Sequence, residues 1–393
     1  MQNMRLDATV RSHEEVLAAV RALDAGVRER AADAEAARSL PHESVDAFLE
    51  AGIARILMPV RFGGYGLGLE TWFEAAREIA KADASHAWCA SLIIEHALFV
   101  SQLPEEAQKA VWADGPDVAI AASIQPVAVV ERTEGGYRIS GEFGFTSGVD
   151  HCSWLFAGGM VDNDGRPEWT FFLVNSDDFT IKKTWFTGAM QATGSNTAVC
   201  QNAFVPESHT VRFSDLREGT GPGGAIHASP IYRSPFIAYA PVSFVTPMLG
   251  AAQGAYEAFR ESTKTRRGMR GVAIAEITSI QVRLARVGAD LDAAELLLRR
   301  IMDVAQGEAP VSIELRARAM RDYSRIAEFC VSSIDTLLAM SGTQAFGASN
   351  ALQRAWRDIH LSAMHLSLNT EANYSHFGRI ELGLPLDTHQ PVF

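Results

Sequence analysis

The feature that most constrains this chain of 393 residues is a change of hydrophobic period, from helical to strand-like and back to helical. The clearest stretch runs from Ile277 to Ile301, where apolar residues are spaced alternately three and four positions apart. Such a seam is typical of a long helix in a bundle. A second helix is predicted from Pro310 to Met340, ending at Ser341-Gly342, and a third from Ala351 to about Thr370. The last third of the chain therefore predicts a helical bundle.

The first third of the chain also predicts helices. Alanine and leucine alternate with paired charges over Arg11–Arg38, which indicates one surface helix with a single apolar stripe. Further helices are expected before residue 115, at Pro41–Glu50, Glu70–Ala84, Ser85–Gln102 and Pro104–Ala113.

Between these helical parts the period falls to two. Residues Tyr137 to Ser147 alternate as in a half-buried strand, which places Ser147 on the same face as Phe143 and Phe145, and Gly135-Gly136 marks a hairpin turn. More strands are predicted at Ala119–Glu131, Ser153–Val161, Trp169–Val174, Phe179–Thr184 and Thr197–Val205. We therefore predict an α+β fold with a helical domain over 1–116, an antiparallel β barrel or sandwich over 117–222, and a helical bundle over 223–393.

Composition excludes several classes of partner. The chain is 47% apolar and 21% charged, which supports a large core and argues against disorder. Its formal charge of -12 would repel a phosphate backbone, so we expect no nucleic-acid partner. The segment Ser234–Tyr256 carries no charge for 23 residues, but it contains three prolines and predicts buried interior, so we expect no membrane span.

Cysteine usage and the first residues point to a cytoplasmic enzyme. The four cysteines lie at least 48 positions apart, without a paired-cysteine or paired-histidine motif, so we expect neither a disulfide framework nor a metal site. Met1–Val10 has no apolar run of the kind that signal peptides carry. The glycines of Gly63–Gly68 have the wrong spacing for a dinucleotide fingerprint, and no predicted strand precedes them.

Several strings resemble proteins of the acyl-CoA dehydrogenase fold. They are Met58-Pro59 with Gly63–Leu67, Ile139–Gly148, Thr193–Asn196 followed by Val205–Glu207, and Arg357-Asp358. The resemblance implies an N-terminal helical domain, a middle β domain and a C-terminal four-helix bundle, with flavin held between the last two.

The chain departs from true acyl-CoA dehydrogenases where their catalytic carboxylate stands. That family carries a glutamate about eight residues beyond the Arg-Asp pair, whereas this chain reads Met364-His365-Leu366-Ser367-Leu368. It is more similar to the flavin-dependent monooxygenases of the same fold, which include hydroxylases of secosteroid phenols and of p-hydroxyphenylacetate and a dibenzothiophene monooxygenase. The string Phe145–Trp154 carries this resemblance best.

In that branch two histidines and one serine face the flavin, and they match His96, His365 and Ser147 by position. A serine hydroxyl beside flavin N5 can accept its hydrogen bond in a dry pocket, which we expect of Ser147. A histidine can take the proton of a phenol near neutral pH; we expect His365 to be this base and His96 to orient substrate or peroxide. Each could instead be structural, and rival histidines occur at His86, His151, His360 and His376.

The resemblance also predicts cofactor contacts. It assigns Thr146 and Ser147 to the flavin, and Arg266 or Arg267 to its phosphate, although the two arginines could be an ordinary solvated pair. Gln344 belongs to the glycine-rich loop Ser341–Gly347, which in the family reaches the flavin of a neighbouring subunit. Helix-end punctuation would explain the same glycines.

The function that this resemblance implies is that of the oxygenase component of a two-component monooxygenase. A separate reductase would supply reduced FMN or FAD, and dioxygen would give a C4a-hydroperoxyflavin that hydroxylates a small aromatic, phenolic substrate. A homotetramer is expected by the same analogy. The alternatives are an oxygenase acting on nitrogen or sulfur, an acyl-CoA dehydrogenase with an undetected base, and a non-catalytic flavin-binding homologue.

Overall fold

A computed structural model of the protein describes residues 10–268, 271–308 and 310–386. Within them, the helices before the sheet are α1 His13–Arg21, α2 Asp24–Ala37, α3 His42–Ala51, α4 Leu69–Ala80, α5 Ala84–Ser101 and α6 Glu105–Val111. The prediction of one helix over Arg11–Arg38 was wrong, because the chain turns at Ala22-Leu23. The two resulting helices bury their apolar residues separately, α1 against α4 and α2 against the turn at Gln191–Thr193.

Helix α5 forms the centre of the molecule. All 18 of its residues are buried, and they are apolar around most of the helix, as expected for a helix with no solvent face. The Asp83 side chain caps its first turn by accepting a hydrogen bond from the backbone N–H of His86 at 3.0 Å. This burial also takes His86, Glu95 and His96 out of water.

The sheet has seven strands within the described residues, in the order β5-β6-β2-β1-β3-β4-β7. The strands are β1 Ile120–Thr133, β2 Gly136–Thr146, β3 Trp154–Asn163, β4 Arg166–Asn175, β5 Phe179–Lys182, β6 Asn196–Pro206 and β7 Thr210–Arg212. The antiparallel prediction was wrong for one pair, since β1 and β3 are parallel. Strand β1 pairs with β3 through its first half and with β2 through its last, and bulges interrupt it between Ser123 and Ala128. Alternation in sequence indicates a strand but does not identify its neighbour.

The end of β2 departs from regular alternation. Phe143 is fully buried in the sheet core, whereas Phe145 is 75% exposed, so the prediction that Phe143 and Phe145 share a face was wrong. The cause is a register shift between Phe143 and Thr146 together with a left-handed backbone at Phe145, whose φ is 57°. Ser147 follows directly after the strand.

The chain after the sheet is helical. Its helices are α7 Phe213–Glu218, α8 Phe236–Tyr239, α9 Val242–Thr265, α10 Thr278–Ala305, α11 Ile313–Ser341, α12 Ala351–Ser362 and α13 Thr370–Glu381. The seam predicted over Ile277–Ile301 is confirmed from Val287 onward as a buried stripe of α10, carried by Val287, Leu291, Ala294, Leu298 and Ile301. Its first part is only half-buried, and Ile277 precedes the helix. The helix predicted from Ala351 to Thr370 ends instead at Ser362, because the Asn369 side chain caps a separate helix, α13.

The uncharged segment Ser234–Tyr256 is interior, as predicted, with every residue from Val245 to Ala252 buried. Among the residues that the structure describes, none of the helices combines the length and the apolar content that a bilayer crossing requires. One hydrophobic core joins the helices before and after the sheet, and a second core lies within the sheet. The two helical parts therefore pack as one body beside α5.

Candidate active site

A cavity of about 440 Å³ lies where α5, the sheet and the C-terminal helices meet. Its walls are mainly apolar and aromatic, with Trp88, Phe99, Trp185 and Phe244 among them. Within the described residues its titratable lining consists of two histidines and one carboxyl, without lysine or arginine. The cavity has the features of a small-molecule site, namely apolar walls with a few converging polar groups.

His96 lines this cavity from the middle of α5 and is 3% exposed. Its Nδ1 lies 2.6 Å from the carbonyl oxygen of Ile120. Because a carbonyl can only accept, Nδ1 carries the proton and Nε2 keeps its lone pair. Burial lowers the pKa of His96 to about 4, so the ring is neutral at pH 7. His96 therefore offers a hydrogen-bond acceptor, or a base.

His365 reaches the same cavity from the loop between α12 and α13, not from the last helix as predicted. Its Nδ1 accepts the backbone N–H of Ser367 at 3.3 Å and lies 2.8 Å from the Ser367 hydroxyl. An Nδ1 that accepts leaves the ring proton on Nε2. The ring stacks on Phe244 at 3.7 Å between centroids, and desolvation lowers the pKa of His365 to about 4. This histidine therefore offers a donor.

Ser147 lies on a third wall of the cavity, beside the walls that carry His96 and His365, and is the first of a chain of hydrogen-bonded hydroxyl groups. The Thr193 hydroxyl donates to the Met190 carbonyl at 2.8 Å, so its oxygen must accept from Ser195, 2.7 Å away. By the same reasoning Ser147 donates to Ser195 at 2.7 Å. The indole N–H of Trp88 donates to Ser147 at 3.2 Å. With its proton and one lone pair used, Ser147 keeps one free lone pair to offer as an acceptor.

The Arg357-Asp358 pair bonds the backbone turn on which this chain of hydroxyl groups ends. Asp358 accepts the backbone N–H of Met190 at 2.6 Å, and Arg357 donates to the Gly188 carbonyl at 2.6 Å. Burial raises the pKa of Asp358 to about 7. The pair thus fixes the turn whose carbonyl ends the hydroxyl chain, which gives it a positioning role.

The remaining predicted cofactor residues lie elsewhere. Thr146 is fully buried and donates its hydroxyl to the Phe143 carbonyl at 2.7 Å. Arg266 and Gln344 line a second cavity of about 410 Å³, which shares no lining residue with the first. Arg266 there donates to the Met340 carbonyl at 2.9 Å, whereas the exposed Arg267 donates to the Gly271 carbonyl at 3.0 Å. The structure therefore joins His96, Ser147 and His365 and separates them from the arginines.

The four rival histidines lie outside the described lining of the first cavity. His86 has both ring nitrogens engaged, Nδ1 with Asp83 at 2.8 Å and Nε2 with Ser44 at 3.2 Å. His360 contacts the Trp356 carbonyl at 2.8 Å on the outer side of α12 and is part-exposed. These contacts indicate structural roles for both.

Sequence reasoning missed Glu95, Trp88 and Ser195. Glu95 is 2% exposed, lines the cavity and is the one acidic residue of α5, and an isolated carboxyl in an apolar run is a signal that could have found it. Burial raises the pKa of Glu95 well above its ordinary value. Trp88 and Ser195 carry no local signal, because their role depends on tertiary contact with Ser147. No group of three or more potential metal ligands occurs in the described ranges.

Comparison with known proteins identifies the family of the chain. The family described as "Acyl-CoA dehydrogenase, N-terminal domain" matches residues 11–115, and "Acyl-CoA dehydrogenase, C-terminal domain" matches residues 242–370. The oxygenase subunit HsaA of a flavin-dependent monooxygenase from Rhodococcus jostii (strain RHA1) is 35% identical over 92% of this chain and 96% of its own length.

One further relative and one solved structure extend the comparison. The oxygenase component of an FADH2-dependent resorcinol hydroxylase from Rhizobium sp. (strain MTP-10005) is 32% identical over 91% of both chains. The crystal structure of 3-HSA hydroxylase from Rhodococcus sp. RHA1 superposes with a TM-score of 0.90 and 34% identity, over 96% of this chain and 99% of that chain. The chain belongs to the oxygenase components of flavin-dependent monooxygenases that share the acyl-CoA dehydrogenase fold.

Proposed function

We propose that this protein hydroxylates a small phenolic substrate, using dioxygen and a reduced flavin, FADH2 or FMNH2, that a separate reductase supplies. The observation that carries the proposal is the set of hydrogen-bonding states in one apolar cavity. Ser147 and the Nε2 of His96 are acceptors, whereas the Nε2 of His365 is a donor. One relative is named an FADH2-dependent resorcinol hydroxylase, and resorcinol is a phenol. This name supports both the reduced flavin and the phenolic substrate of the proposal.

The hydrogen-bonding groups of the cavity fit a reduced flavin. Bound reduced flavin supplies the two electrons with which one oxygen atom of dioxygen becomes water while the other enters the aromatic ring. Reduced flavin carries a proton on N5, and Ser147 keeps a free acceptor because Trp88 and Ser195 occupy its other positions. The aromatic walls surround this group with apolar surface, which favours a dry site.

We assign the base to His96, which reverses the sequence-based expectation. A phenol is more reactive toward an electrophilic oxygen as its phenolate, so its proton must move to an acceptor. The lone pair on the Nε2 of His96 can take that proton, while the Ile120 carbonyl holds the ring in position. His365 instead presents an N–H, which suits the orientation of an oxygen atom by hydrogen bonding.

We propose that the second cavity is the flavin-phosphate site, and by family analogy that the protein is a homotetramer. Arg266 provides one of several cations there and Gln344 an amide, whereas Arg267 lies outside the described lining of both cavities. Because this cavity is separate from the first, we propose that Arg266 and Gln344 serve a flavin whose ring lies in a neighbouring subunit. Thr146 would then contribute through backbone, since its hydroxyl is engaged. We propose the cytoplasm as the compartment.

The test supplies reduced FAD, and separately reduced FMN, under isotopically labelled dioxygen with a panel of phenols. We expect one labelled oxygen atom in the product and loss of that product in His96→Asn. Labelled products from only amines or sulfides would move the activity to nitrogen or sulfur. Bleaching of bound oxidised flavin by an acyl-CoA, without any labelled product, would overturn the proposal in favour of a dehydrogenase.

A further inference from the structure

Glu95 is the one ionisable residue in the described lining of the cavity that the proposed reaction does not use. It stands seven positions after Trp88 in α5, which places it two helical turns, or about 10 Å, from the residue that contacts Ser147. Leu92 and Phe99, one turn before and after it, line the same cavity. Glu95 therefore lies along the cavity wall, well away from the flavin-facing hydroxyl.

No cation compensates this carboxyl within the described residues. Among the residues that the structure describes, no ion pair involves Glu95, and the described cavity lining carries no lysine or arginine. Burying an ionised carboxylate without a partner is strongly unfavourable, so Glu95 is held in its neutral form. A neutral carboxyl has one O–H donor and one carbonyl acceptor.

The contacts of Ser243 determine which way the carboxyl faces. The Ser243 hydroxyl donates to the Ala240 carbonyl at 2.7 Å and lies beside the Glu95 carboxyl. Because a hydroxyl has a single proton, Ser243 can only present an acceptor to Glu95, and we infer that the O–H of the neutral carboxyl turns toward it. The second oxygen of the carboxyl remains as an acceptor.

We propose that Glu95 determines substrate specificity by accepting a hydrogen bond from a second hydroxyl group of an uncharged phenol, and that phenols bearing a carboxylate are rejected. The inference rests on the proposed function and names its substrate class. A carboxylate placed against an acceptor and a cation-free wall would lose its hydration without gaining a partner. A hydroxyl placed there would satisfy an acceptor that is otherwise without a donor.

Two matched series of phenols test the inference. In one the para substituent is hydroxyethyl, propyl or carboxymethyl, and in the other the meta substituent is hydroxyl, methyl or carboxylate. Binding is measured by anaerobic equilibrium dialysis with the reduced-flavin protein. In at least one series we expect the hydroxyl compound to bind about tenfold tighter than its methyl or propyl partner. The carboxylate compound of that series should bind at least about tenfold more weakly than the hydroxyl compound.

Two substitutions separate hydrogen bonding from other roles of Glu95. Glu95→Gln keeps a donor for Ser243 and an acceptor for the substrate, so it should retain the hydroxyl preference. Glu95→Met keeps the side-chain volume but loses the acceptor. The hydroxyl compound and its methyl or propyl partner should then bind with about equal affinity. Circular dichroism establishes that both variants fold, and if Glu95→Met does not fold, the wild-type rejection of carboxylates and the retained preference of Glu95→Gln decide the question.

The inference is overturned if neither series shows a hydroxyl preference, if carboxylates bind as tightly as hydroxyl compounds, if folded Glu95→Met keeps the preference, or if Glu95→Gln loses it. The labelled-dioxygen experiment distinguishes this failure from failure of the proposed function. Hydroxylated product without Glu95-dependent selection would remove only the role of Glu95. Absence of hydroxylated product from any phenol would remove the function itself.

Discussion

Two walls of one cavity carry the two histidines, and they differ in what holds the ring. On the helical wall, His96 donates from Nδ1 to the Ile120 carbonyl; on the loop wall, His365 accepts at Nδ1 from the Ser367 N–H. Desolvation lowers the pKa of both to about 4. Their charge is therefore the same at pH 7, and their hydrogen-bonding roles are opposite. The partner of the inner nitrogen, not the residue type, determines whether each acts as acceptor or donor.

His96→Asn breaks the helical wall and should have the largest effect. The asparagine amide can still donate to the Ile120 carbonyl, but the acceptor at Nε2 is gone. We expect hydroxylation of an unactivated phenol to fall about a hundredfold or more, which is a usual contribution of a general base. Product is measured by chromatography after mixing with reduced flavin and dioxygen. His360→Asn, on the outer side of α12, is the control and should retain wild-type turnover.

Ser147→Ala tests the third wall while leaving both histidines intact. It removes the acceptor that we propose for the flavin N5 proton, so dioxygen consumption should continue while product per dioxygen falls about tenfold and hydrogen peroxide rises. Ser195→Ala, which only breaks the chain of hydroxyl groups behind Ser147, should give a smaller shift in the same direction. An unchanged ratio of peroxide to product in Ser147→Ala would contradict the assignment.

His365→Asn breaks the loop wall and should have a smaller effect than His96→Asn. The asparagine oxygen can still accept the Ser367 N–H, so the loop keeps its cap and only the outward N–H is lost. We expect turnover to fall by about fivefold, as for one lost hydrogen bond. A larger loss than in His96→Asn, measured on the same phenol, would exchange the two roles.

Stability against pH compares the walls without any substrate. The folded-state pKa of His96, about 4, lies below the ordinary value near 6.5. The unfolded chain therefore binds a proton there first, and the stability from neutral His96 is lost as pH falls from 6.5 to 4. We expect the wild type to lose up to about 3 kcal/mol more than His96→Asn across this window in urea unfolding. Equal slopes for both proteins would show that His96 is not buried as described.

The raised pKa of Glu95 acts in the opposite direction. Its neutral form stabilises the folded protein at low pH, and this contribution is lost as pH rises through the folded-state value. Glu95→Gln should therefore be relatively more stable than the wild type at alkaline pH. Melting temperatures of the two proteins at pH 5 and pH 9 measure the difference, and an identical change in both would count against a neutral Glu95.

The sequence predicted what depends on local period and failed where distant contacts decide. The seam of α10 and the strands of the sheet follow from spacing, and all three proposed flavin-facing residues meet in one cavity. The parallel pairing of β1 with β3 was missed, because alternation carries no information about neighbours. The loop position of His365 was missed, although Asn369-Thr370 is a recognisable helix start.

The roles of the site residues could not be read from sequence either. The tautomer of His96 depends on Ile120, a residue 24 positions away in a strand. The acceptor state of Ser147 depends on Trp88 and Ser195, from two other parts of the chain. Resemblance identified the residues, and only their partners distinguish donor from acceptor.

The most direct test of this account is the dependence of product formation on phenol acidity. A series of phenols with increasing fluorination is hydroxylated at one pH by the wild type, His96→Asn and His365→Asn. Without its base, an enzyme can use only phenols that are already ionised. We predict that His96→Asn approaches wild-type yield as the phenol becomes more acidic, while the deficit of His365→Asn stays constant. Recovery in His365→Asn and a constant deficit in His96→Asn would contradict the account.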